Sequence, residues 1–132
     1  MMCDREYREF FEQEIQKKLS IPEFSQIVKK LRIFIPNNRS NISLIQLLDN
    51  MIKKAKDYND DKSIINLYGL KILLLENHNE NLEIICKIAT EMENLSKEKS
   101  LQEELALTYS YWWFIEKIRG KKTEGRLFIF MS

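Results

Sequence analysis

The chain has 132 residues, 44% of them apolar and 31% charged, with a net charge of +1. That is enough apolar material for one core under a solvated surface. It excludes a disordered polyelectrolyte and a chain whose overall field draws it to nucleic acid or an anionic membrane. Three Gly and two Pro, in a background of Ile, Leu, Lys, Glu and Asn, make a helical vocabulary. The start, Met1 to Glu6, is charged at once and is no secretory signal. The most apolar stretch, Ile64 to Leu75, is well short of the roughly 20 residues a membrane span needs. Cys3 and Cys86 have no CxxC spacing, so a reducing, cytoplasmic setting is expected.

A first helix is expected over residues 4–19, with Tyr7, Phe10, Phe11, Ile15 and Leu19 at helical spacing. Ser20 and Pro22 mark a restart, and the second helix carries Phe24, Ile27, Val28, Leu31 and Phe34 to about residue 35, where Pro36 stops it. Residues 37–41 read as a loop between an N-terminal helix pair (1–36) and the rest (42–132) of a single helical domain. Asn41 or Ser43 caps a third helix running to about Tyr58. Its face is Ile42, Ile45, Leu48, Ile52 and Ala55, widened by Leu44, Leu47 and Met51. The fourth helix, 62–76, is apolar nearly all round and should be central. Asn77-His78-Asn79 is a turn. The fifth helix, 80–96, carries Leu82, Ile85, Ile88, Ala89, Met92 and Leu95. Ser100 and Glu103 have capping-box spacing for a sixth helix, which reaches Ile118 before Gly120 breaks it. Thr123 to Met131 begins a seventh helix or trails off.

Gly69 lies inside the fourth helix, where Gly costs about 1 kcal/mol relative to Ala. A neighbouring helix approaching closely would account for it. Tyr68-Gly69 recurs as Tyr109-Ser110, 41 positions on, and polar turns precede both helices. Two helices per unit and a period near 40 are the mark of a helical solenoid.

Lys54 to Lys62, Leu67-Tyr68-Gly69-Leu70 and Asn79 to Ile84 resemble the tetratricopeptide repeat, in the long-linker variety of bacterial signalling proteins. Gly69 takes the family's small position, Ile65 that of its usual Trp and Ile72 that of its usual Tyr. Asn81 replaces the small residue early in the second helix, Ser110 replaces the second Gly, and no proline closes the unit. The likeness covers residues 42–127, best over 54–90. It implies an all-α chain of six or seven helices, paired antiparallel in a short right-handed superhelix. It also implies a protein- or peptide-binding scaffold, the N-terminal sensory or regulatory region of a bacterial signal-transduction protein with an output domain beyond. By register the first helix of each unit offers Asn66, Leu70, Lys71 and Leu73, and Leu107, Tyr111 and Phe114, to a groove.

Tyr109, Tyr111, Trp112, Trp113 and Phe114 point in nearly every direction around one helix, so part of this cluster should reach the surface. Trp112 joins the candidate binding residues on that ground, either as a partner's hot spot or as a homodimer face. Lys117, Arg119, Lys121, Lys122 and Arg126 form a basic tail that a nucleic-acid-linked regulator would use, the least supported alternative. His78 is a lone turn residue. No metal-ligand spacing and no phosphate loop occur, so no catalytic, metal or cofactor site is expected.

Overall fold

The computed structural model describes residues 4–77 and 82–122. They form α1 (Asp4–Gln16), α2 (Ile21–Phe34), a single 3-10 turn (Ile35–Asn37), α3 (Leu44–Asp57), α4 (Asp61–Asn77), α5 (Leu82–Glu98) and α6 (Gln102–Lys122). No strand occurs among the described residues. No helix there is long and apolar enough to cross a membrane. His78 and the segment 123–131 lie outside the described residues.

α1 stops three residues earlier than its apolar spacing suggests. Its last carbonyls, Ile15 O and Lys17 O, accept from the Lys54 ammonium of α3. A side chain of a distant helix thus caps orphan helix-end acceptors. Tyr58 Oη donates to Leu19 O at 3.0 Å and fixes the same corner. α2 opens on a capping box: Ser20 Oγ accepts from Glu23 N at 3.3 Å and Glu23 Oε1 from Ser20 N at 3.0 Å. Pro36 sits inside the 3-10 turn, where Asn37 and Asn38 side chains donate to Ile33 O and Phe34 O. Phe34 meets Tyr7 and Phe11 of α1, with ring centroids 4.7 and 5.7 Å apart.

The turns into α4 and α6 are the same structure. α3 ends with Asn59 at φ 55°, Asn59 N donating to Lys56 O and Asp60 N to Ala55 O. α5 ends with Ser100 at φ 54°, Ser100 N donating to Lys97 O and Leu101 N to Ser96 O. Both are Schellman motifs with one left-handed residue. They lie 41 positions apart, as do the ends of α3 and α5 and the starts of α4 and α6. Ser100 is therefore the helix-ending residue of α5, not the capping-box residue expected. The N-terminus of α4 is closed instead by Asp60, which accepts from Ser63 N at 3.3 Å and Ser63 Oγ at 2.6 Å.

Burial follows the same offset. Leu44, Leu47, Leu48, Met51 and Ala55 of α3 are buried, and so are Ile85, Ile88, Ala89, Met92 and Ser96 of α5. Ile42 precedes α3 and is exposed, so the expected apolar face rotates toward Leu44, Leu47 and Met51. Ser96 and Thr108, polar in the core, donate to Met92 O and Glu104 O one turn back, so neither hydroxyl is left unsatisfied. α4 packs against α2, α3, α5 and α6, the central place its all-round apolarity implies. Short turns make α3 and α4, and α5 and α6, antiparallel neighbours. α2, α4 and α6 also touch in series, as α1 does with α3. α6 continues through Gly120 to Lys122, so that glycine does not end it.

Ser pays a steric penalty in the left-handed region that Gly does not, and Asn tolerates it better. Ser100→Gly should raise stability by about 0.5–1 kcal/mol and Asn59→Gly by less. Urea denaturation measures both, and a loss at Ser100 would contradict the assigned turn.

Candidate functional site

The serial contact of α2, α4 and α6 leaves a cleft of about 520 Å³ between them. Val28, Lys29 and Arg32 of α2 form one wall, Lys62, Ser63 and Asn66 of α4 the floor, and Glu103 and Glu104 at the start of α6 the other wall. Lys29, Arg32 and Lys62 are exposed and form no ion pair among the described residues. Glu104 is 9% exposed and its carboxylate likewise has no described ion-pair partner. Asn66 donates to Lys62 O at 2.8 Å, within its own helix.

Behind Asn66 the α4–α6 contact is made at Gly69. A Cβ there would stand 2.7 Å from Tyr111 Cε2 and 2.9 Å from Tyr111 Oη. The expectation of close backbone approach is thus corrected: Gly69 admits the end of an aromatic ring from α6. Burial pushes the Tyr111 hydroxyl pKa up, opposed by the positive charges of Arg32 and Arg39. Arg32 also lines the cleft, whereas Tyr111 does not.

The remaining expected groove residues lie elsewhere. Leu70 is buried in the core. Lys71 pairs with Asp49 of α3 at 2.7 Å. Trp112 and Phe114 are half-buried and outside the cleft lining, and the Trp112 indole N–H is enclosed with no described acceptor. Of the eight residues expected at a groove or partner face, including Leu73 and Leu107, the structure brings only Asn66 into the cleft lining. The α2 residues were missed because the repeat was taken to start at residue 42. Glu104 reads as a solvated charge on a Lys-rich helix. The signal that would have found it is Ser63, buried 41 positions earlier. Of the basic tail, only the Lys117 side chain lies among the described residues, 4.5 Å over the Trp113 ring. No described cluster of His, Cys, Asp and Glu has the makings of a metal site.

A second constellation crosses three helices. Tyr68 of α4 is buried, with the Lys56 ammonium of α3 5.7 Å from its ring centroid, and its hydroxyl interacts with Lys56 and with Glu91 of α5. Burial pushes its pKa up. The Lys56 interaction opposes that rise and the Glu91 interaction adds to it. The hydrogen bond with Tyr68 raises Lys56 in turn.

Compared with protein-family models, curated proteins and solved structures, the chain matches none.

Two predictions follow from these contacts. Overpacking costs about 1–3 kcal/mol, against about 1 kcal/mol of helix propensity gained, so Gly69→Ala should destabilise by about 1 kcal/mol. In a Tyr111→Ala background the same change should stabilise. A double-mutant cycle with no coupling would refute the Gly69–Tyr111 contact. Lys56, Tyr68 and Tyr111 all bind their protons more tightly when folded. Their contribution is full below about pH 10 and is lost as pH rises through the raised folded values. Stability should therefore fall above pH 10, less steeply in the Tyr68→Phe/Tyr111→Phe variant, as read from urea midpoints across the alkaline range.

Proposed function

We propose that the chain is a protein- or peptide-binding helical-repeat scaffold whose α2–α4–α6 cleft receives a segment of a partner protein. The observation that carries this reading is the cleft of about 520 Å³ whose lining sets three cations with no described ion pair, Lys29, Arg32 and Lys62, against Asp60, Glu103 and Glu104. A lysine or arginine of the incoming segment pairs with Glu104. Backbone carbonyls or acidic side chains beside it meet the rim cations. Asn66 presents a carboxamide to the same space. The 41-residue recurrence supports a repeat scaffold, with α4 and α6 in equivalent places beside the cleft. The further reading, a regulatory region of a cytoplasmic bacterial signalling protein joined to an output domain, rests on the tetratricopeptide-like residues alone.

Selection from a displayed library of random peptides tests the cleft. Enriched peptides should carry a basic residue, and Glu104→Gln should weaken them about tenfold or more. Failure to enrich any binder, or binders indifferent to Glu104→Gln, would remove the cleft as the site.

A further inference from the structure

The 41-residue offset pairs Lys56 with Lys97, Tyr68 with Tyr109 and Ile72 with Trp113. In the first unit Tyr68 and Ile72, one turn apart on α4, are 8% and 1% exposed. The next helix, α5, carries Glu91, which interacts with the Tyr68 hydroxyl, as Lys56 of α3 does. The second unit repeats half of this. Lys97 of α5 pairs with Glu93 at 2.8 Å and also interacts with Tyr109. Lys117 stands over the Trp113 ring. Yet Tyr109 and Trp113 are 47% and 49% exposed, and no described helix follows to bring a counterpart of Glu91.

We infer that the Tyr109–Trp113 face of α6 is the seat of an amphipathic helix from a partner protein, which presents an acidic side chain to the Lys97–Tyr109 pair. The first unit shows what fills this place: a helix with an apolar stripe and one carboxylate. Two outward aromatic rings a turn apart, flanked by two ammonium groups, suit that occupant in shape and charge. The seat is on a different face from the cleft of Glu104, so the two sites stand or fall separately.

The test uses the full chain and a fluorescein-labelled peptide of the α5 sequence, Leu82–Glu98, the helix that fills the matching place on α4. Saturable binding is expected, with a blue shift of tryptophan emission. Trp113→Ala should weaken it about tenfold or more. Tyr109→Phe should weaken the native peptide but not one carrying Glu91→Gln. Glu104→Gln should change nothing. Circular dichroism confirms that each variant is folded. Absence of binding up to about 1 mM peptide, or binding indifferent to Trp113→Ala, overturns the inference. So does a Trp113-dependent dimer in light scattering that excludes the peptide. Binding seen only after Phe128→Ser and Phe130→Ser would assign the seat to residues 123–132, and that too overturns it.

Discussion

One left-handed residue at the end of a helix sets the geometry on which this chain depends. At Asn59 and again at Ser100 the backbone turns back after two hydrogen bonds close the last turn, and the next helix starts two residues later. The reversal is fixed by backbone geometry and not by loop length, so both helix pairs leave their turns alike. Matching positions then receive matching burial. Met51 and Met92, Ala55 and Ser96, Leu67 and Thr108, and Leu74 and Ile115 are all buried, although α4 and α6 are otherwise different in sequence. A buried polar residue is tolerated in this pattern only where it bonds one turn back within its helix, as Ser96 and Thr108 do.

α4 carries most of the consequences. It touches four other helices, and each contact constrains a different side of it. On one side Asp49 of α3 holds Lys71. On another, Tyr68 ties α3 to α5. At Gly69, α6 inserts the Tyr111 ring. The side toward α2 is left partly open, and there the cleft forms around Lys62, Ser63 and Asn66. The candidate site thus lies on the flank of α4 that faces α2, where the packing of the described helices leaves a cleft. Its charges remain unpaired for the same reason, whereas Lys71, on a filled flank, has its carboxylate.

The helices were legible because apolar residues recur at 3.6-residue spacing and polar turns interrupt them. The 41-residue offset was legible through Tyr68-Gly69 and Tyr109-Ser110. The turn at Ser100 was not: Ser-x-x-Glu is equally a capping box, and only the backbone angle tells a helix end from a helix start. The true box, Ser20 with Glu23, has the same letters. Gly120 misled for the opposite reason, since a Gly lowers helix propensity without forbidding the helix. Leu70 shows the limit of register arguments. On a helix covered on several sides, an apolar position assigned to a groove ends in the core. The place of Glu104 in the cleft was hidden because the facing wall is α2, more than 70 residues away in the chain.

The end of the described chain departs from what a closed repeat array requires. Terminal units usually present a polar outer face, because the apolar face that would meet the next repeat meets water instead. α6 presents Tyr109 and Trp113. Lys117 over the Trp113 ring and Lys97 beside Tyr109 soften that exposure without covering it, since a cation above a ring still leaves its edge and opposite face wet. A sequence shaped only for solubility would place Lys or Glu at 109 and 113, as it does at Lys87 and Glu91 of α5. Keeping the tyrosine of the first unit, and putting an indole where that unit has Ile72, gives the exposed face of α6 the chemistry of the covered face of α4. The repeat that builds the cleft therefore also leaves, one unit later, a surface with the composition of an interface core.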